Sequence, residues 1–224
     1  MELHLGQLGM AGTDIQRYAR QLNLLELPTD ANRLPKPSRL ERWAEAAPPG
    51  FAFSLVVPET LAALEAPDPS ALERLTNAAQ ILKPHWLIVR TPASVRPTSA
   101  NRERLTRLVE SIGGQRGGLE YALGWEAAGL WQEEETDQLA ERLGVHVVRD
   151  ARRASLPDAP IVYSRLLAVG RLARVSQDSA GRLAEKLADK SAVFLIVEGG
   201  GAVQLGRLLR AELSLLQESD EDEA

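Results

Sequence analysis

Three carboxylates and a glycine run carry the groups in this chain best suited to chemistry. Glu26, Glu120 and Asp150 lie in or at the ends of apolar runs, where a carboxylate could serve as general acid or base. Arg165 lies in another such run and offers a fixed positive charge. A charge inside an apolar strand needs a partner, because burying it alone costs several kcal/mol. The expected pairing is Arg165 with Glu120, or failing that with Glu26, facing the interior of the fold. Arg90, Arg149 and Glu198 are further charges of the same kind. Gly199-Gly200-Gly201 precedes the last helical segment, and glycines there let backbone N–H groups approach an anion. Arg171 and Arg174 follow the seventh apolar run, and Arg152 and Arg153 the sixth. Together they suggest a small anionic or phosphate-bearing ligand, with Trp125 as a wall of its pocket.

Other chemistries find little support. The chain has no cysteine, which excludes disulfides, thiolate metal sites and cysteine nucleophiles. His4, His85 and His146 are far apart in sequence and show no helical metal spacing, so no metal site is assigned. No serine sits in a Gly-x-Ser-x-Gly setting. The sequence does not set whether a cofactor is used. Residues 83–116 hold seven Lys and Arg against Glu103 and Glu110, a balance that could attract nucleic acid. Arg102, Arg104 and Arg107 fall on the polar side of an amphipathic helix, however, so a solvated outer face is preferred to nucleic-acid binding.

These residues need a frame. Eight short apolar runs recur: Leu3–Leu8, Leu22–Leu27, Phe51–Val57, Trp86–Thr91, Gly118–Trp125, Val145–Asp150, Ile161–Leu166 and Ala192–Glu198. Helical patterns separate most of them, including Arg39–Ala47, Ser70–Leu82, Asn101–Ile112, Ser176–Lys190 and Gly201–Leu216. The alternation predicts an α/β fold, a compact (β/α)8 TIM-type barrel in which the C-terminal strand ends carry the site. Residues 151–159 are too short for a crossover helix and are expected to span the barrel wall as an extended loop. One domain is expected over residues 1–216. Residues 217–224 form an acidic tail that is expected to dangle in solvent. The net charge of −5 comes from that tail: without its five acids, 26 acidic residues face 26 Lys and Arg. No apolar run is long enough for a membrane span and no signal peptide is visible, so a cytoplasmic location is expected. The sequence does not set the oligomeric state.

Tyr18, Leu24-Leu25-Glu26, Pro35, Trp43 and Phe51-Ala52-Phe53 form an ordered set. It resembles the DUF72 (YecE-like) family of barrel proteins. Pro92, Glu120, Trp125, Asp150 and Tyr163-Ser164-Arg165-Leu166 extend the resemblance along the body. The resemblance implies a barrel fold and points to Glu26, Glu120, Asp150 and Arg165 as retained polar positions. Places where the family carries Asn, Lys, Arg-His and His hold Pro28, Val56, Ala122-Leu123 and Leu167 here. These side chains cannot exchange protons or bind a metal. The expected function is therefore ligand binding at a degenerate active site, with weak or absent catalysis. The alternatives are an active hydrolase on phosphorylated or nucleic-acid substrates using Glu26, Glu120 or Asp150, and a non-catalytic interaction protein.

Overall fold

Runs such as Leu-Leu-Glu-Leu-Pro and Ala-Phe-Ser-Leu-Val are buried at every position, which requires cover on both faces of the strand. A closed parallel sheet inside a helical layer supplies that cover. The computed structural model describes residues 1–10, 12, 14–114, 120–167 and 176–222. Among them the strands are β1 (Glu2–Leu8), β2 (Leu24–Pro28), β3 (Ala52–Val56), β4 (Trp86–Thr91), β5 (Ala122–Ala127), β6 (His146–Val147), β7 (Ile161–Leu166) and β8 (Ala192–Val197). All their pairings are parallel, in the order β6-β5-β4-β3-β2-β1-β8-β7. An Arg149–Ser164 bridge joins the two ends of that order. There the Ser164 hydroxyl donates to the Arg149 carbonyl at 2.7 Å and accepts from the Ala151 N–H at 3.0 Å. A side chain thus replaces ladder bonds where β6 is too short to make them. The predicted eight-stranded barrel is the observed fold.

The helices are α1 (Ile15–Ala19), α2 (Pro37–Ala46), α3 (Glu59–Ala62), α4 (Pro69–Leu82), α5 (Ser99–Gly114), α6 (Glu133–Leu143), α7 (Gln177–Leu187) and α8 (Ala202–Asp222). Asp14, Asp68 and Ser176 cap α1, α4 and α7 by accepting from an N–H three residues on. No helix lies between β6 and β7, as Pro157, the following Pro160 and the short spacing of residues 151–159 require. α8 runs as far as Asp222 and so includes most of the acidic segment. Extending an existing helix costs far less than starting one. No helix among the described residues is long and apolar enough to cross a membrane.

Strand alternation divides the apolar residues into two sets. Leu25, Leu27, Phe53, Leu55, Leu87, Val89, Leu123 and Trp125 face the helices. Leu24, Ala52, Trp86, Ile88, Val148, Tyr163, Phe194 and Ile196 fill the barrel. Gly6 and Gly124 make room for them. A Cβ on Gly6 would lie 2.0 Å from the Leu24 carbonyl oxygen, and one on Gly124 2.8 Å from Ile88 Cδ1. At the lower end His4 stacks on Phe194, with centroids 4.4 Å apart, and Phe194 lies parallel to Tyr163. Tyr18, the first residue of the ordered set, is structural. Its hydroxyl donates to the Leu24 carbonyl at 2.7 Å and accepts from the Gln7 N–H, tying β1 to β2, and burial pushes its pKa up. Asn23 adds a second tie, accepting from the Leu5 N–H and donating to the Leu3 carbonyl.

Candidate functional site

The inward-facing parity of the strands puts charges above the apolar filling, at the C-terminal end of the barrel. Glu26 shares a face with Leu24 in β2, Arg90 with Ile88 in β4, Glu126 with Gly124 in β5, and Arg165 with Tyr163 in β7. Glu198, just past β8, completes the set.

Arg165 is the hub. Its Nη2 donates to Glu26 Oε2 at 2.7 Å, and its Nη1 lies 2.6 Å from Glu26 Oε1. Its Nε donates to Glu126 Oε2 at 2.7 Å and its Nη1 to Glu198 Oε1 at 3.1 Å. Arg90 bridges the outer two acids, with its Nε 2.7 Å from Glu126 Oε2 and its Nη2 3.3 Å from Glu198 Oε1. Below, the Tyr163 hydroxyl donates to Glu26 Oε2 at 2.6 Å. That leaves Tyr163 to accept from the Ser54 hydroxyl, 2.9 Å away. Burial opposes the charge on Arg165, but the Glu26 and Glu126 carboxylates outweigh it and hold its pKa above the usual guanidinium value. Burial, then the adjacent Glu26 charge, pushes the Tyr163 hydroxyl well above its ordinary value. Tyr163 is therefore neutral at physiological pH and serves as a donor. Three carboxylates against two guanidiniums leave the cluster one negative charge in excess.

Depth divides these groups by what they can do. The Glu26 and Arg165 side chains are 0% and 1% exposed, sealed from any ligand outside. Glu126, Glu198 and Arg90 are 19%, 29% and 33% exposed and form the accessible rim. Two hollows flank that rim. One, of about 260 Å³, lies beside Arg90 and Glu126 and is edged by Asp30, Arg33 and Glu59. The other, of about 540 Å³, lies between Gln7–Met10 and Val197–Gly199. The second adjoins the turn into α8, where Gly199 has φ +129°, a backbone state that favours glycine. Gly200 is exposed there, and a Cβ on it would meet nothing.

The sequence-predicted residues are thus partly reunited. Glu26 and Arg165 pair inside the barrel, and Gly199–Gly201 sit at its mouth beside Glu198. Glu120 is not Arg165's partner. It is exposed and precedes β5, at the opposite end of that strand from Glu126, which takes the place expected for it. Trp125 does not wall the mouth. It faces the helical layer, 1% exposed, against Trp131, and its indole N–H donates to Thr91 Oγ1. Asp150 joins loops rather than the ion-pair cluster: it accepts from Arg152 Nη2 at 2.8 Å and from the Leu167 N–H at 3.1 Å. Burial alone would raise its pKa, but those hydrogen bonds and Arg152 hold it below the usual carboxylate value. Arg152 is thereby engaged, while Arg153 stays 71% exposed. Arg171 and Arg174 lie outside the described residues. Glu126 was missed because the fifth strand was read as ending at Trp125. Two-residue parity carried forward from Trp125, an outward position, would have placed Glu126 inside. Two of the three histidines, distant in sequence, come together at the barrel floor, with His4 and His85 centroids 6.1 Å apart, while His146 packs edge-on against Trp86. Among the described residues no group of three His, Asp or Glu side chains could hold a metal ion.

Comparison with known proteins agrees with this architecture. The family model described as "Protein of unknown function DUF72" matches residues 7–222. A DUF72 family protein from Enterococcus faecalis superposes with a TM-score of 0.74 at 15% identity, covering 95% of each chain. One from Thermotoga maritima gives a TM-score of 0.66 at 17% identity, covering 96% of this chain and all (100%) of the other. A sugar phosphate isomerase/epimerase from Parabacteroides distasonis gives 0.57 at 12% identity over 96% and 93% of the two chains. No curated protein matches the chain in sequence.

Proposed function

The chain belongs to the DUF72 family, and from that premise we propose that it binds a small anionic, phosphate-bearing ligand at the barrel mouth, with weak or absent turnover. The observation that carries this reading is the hollow of about 540 Å³ that opens beside Gly199 at the start of α8. The first N–H groups of a helix have no acceptor within it, and the helix dipole favours negative charge there. Barrels commonly hold phosphate near strands seven and eight. The Parabacteroides neighbour is described as acting on sugar phosphates, the ligand class carried over in this reading. Arg171 and Arg174, which follow β7 in the sequence, are proposed to supply cations to the same ligand. The excess negative charge of the Arg165 cluster keeps the anion at the turn rather than over the cluster's centre.

Weak turnover follows from the state of the carboxylates. A general acid or base must reach the substrate within hydrogen-bonding distance. Glu26 is sealed beneath Arg165, Asp150 is clamped by Arg152 and Leu167, and Glu120 lies away from the mouth. The hydrolase alternative therefore finds its three acids in three separate places.

The test is thermal unfolding across an inorganic phosphate titration. At one hundred times the dissociation constant, binding stabilises by about 2.7 kcal/mol, a rise of roughly 5–11 °C for a chain of this size. Arg171→Ala/Arg174→Ala should remove most of that rise. Gly200→Asp should remove it too, because the position is open and tolerates the side chain while its carboxylate repels an anion. Equal responses in all three proteins would overturn the proposal.

A further inference from the structure

The proposed ligand leaves unexplained the basic helix α5 and the hollow beside it. That hollow, of about 390 Å³, lies in the helical layer between the α3–α4 connection, α4 and α5. Leu61, Leu64, Leu72 and Leu108 line it, and Arg104 and Arg107 stand at its edge. Leu61 and Leu64 are buried, 9% and 5% exposed. Leu64 has φ +58°, a left-handed conformation rarely adopted by a leucine. The chain thus turns sharply at this wall just after α3.

The charges at the edge are unequally committed. Asp68, which also lines the hollow, accepts from the Ala71 N–H, Thr60 Oγ1 and Ser70 Oγ, so its oxygens serve its own turn. Its neighbour Glu65 is exposed. Arg107 forms no ion pair among the described residues, and Arg104 makes only a 3.4 Å bond to Asn101. The third arginine of that helix, Arg102, is instead paired with Glu135. Arg104 and Arg107 are three residues apart and therefore neighbours on one helical face. An apolar hollow of this size with a few convergent polar groups has the make-up of a small-molecule site.

We propose that this hollow binds a single-chain organic anion, with its alkyl body against the four leucines and its carboxylate on Arg104 and Arg107. The site is separate from the barrel mouth and does not depend on the phosphate reading.

Isothermal titration of the full chain with dodecanoate, kept below its micelle concentration, tests this. Saturable one-to-one binding is expected, with affinity falling stepwise for decanoate and octanoate. Dodecylammonium, with the same tail and opposite charge, should not bind. Arg104→Glu/Arg107→Glu changes two exposed side chains and should weaken dodecanoate by at least about tenfold, the scale of a charge-assisted contact. Circular dichroism and the melting temperature of that variant should match the parent, so weakened binding cannot be put down to unfolding. Absence of binding, equal binding of dodecylammonium, or affinity unchanged by the double substitution would each overturn the proposal.

Discussion

Replacing Arg165 with methionine is the sharpest perturbation the structure offers. Arg165 contacts three carboxylates, but their losses are unequal. Glu126 and Glu198 retain Arg90 at 2.7 and 3.3 Å and are partly exposed, so solvent and Arg90 compensate them. Glu26 is 0% exposed and, among the described residues, would retain only the Tyr163 hydroxyl. The cost is therefore that of one buried carboxylate left without its cation, about 3–5 kcal/mol. For a chain of this length that lowers the melting temperature by roughly 6–20 °C. Urea unfolding at pH 7 measures the difference. A companion substitution identifies its source. Adding Glu26→Gln should recover part of the loss, because the amide carries no charge to strand. A change within about 0.5 kcal/mol, as at an ordinary surface site, would refute the reasoning, as would a double variant no more stable than the single one.

Three other outcomes follow from the same structure. Burial lowers the pKa of His146, and burial with the nearby His4 lowers that of His85; the unfolded chain then protonates first, so their contribution is present above about pH 6.5 and lost as pH falls below it, and His146→Gln should flatten the acid side of the stability–pH curve. Gly6→Ala places a Cβ 2.0 Å from the Leu24 carbonyl oxygen and should cost about 3 kcal/mol or more by forcing the strands apart; an unchanged urea midpoint would show that the β1–β2 contact is looser than described. A screen of phosphomonoester, phosphodiester and glycoside substrates with magnesium, manganese or zinc should give little turnover, whereas robust activity abolished by Glu126→Gln in a folded protein would promote the hydrolase alternative.

The barrel was legible because strand runs buried on both faces are short and apolar, and because residues 151–159 could not hold a helix. Strand ends were harder to place. The run read as Gly118–Trp125 is β5 at Ala122–Ala127, and that shift exchanged Glu120 for Glu126 as Arg165's partner. A charge at a strand end looks the same in sequence whether it precedes or follows the buried segment. Alternation from Trp125 carried the distinction, since Trp125 packs outward and its neighbour must point in. The Trp125 assignment failed on the same parity. The approach of His4 to His85 was not legible, because β1 and the start of β4 come together only when the sheet closes. Glu26 with Arg165 was recoverable because charges at depth must find each other, and few were available.

In the proposed complex an anion is held at the turn into α8 while the Arg165 cluster remains closed beneath it. Amide chemical-shift mapping on the nitrogen-15-labelled protein during a phosphate titration tests it most directly. Saturable shifts centred on Gly199, Gly200, Gly201 and Ala202 are expected, with the Glu26 and Ser54 amides at the cluster's base little changed. No saturable shift at those four amides, or shifts confined to a surface elsewhere, would contradict it.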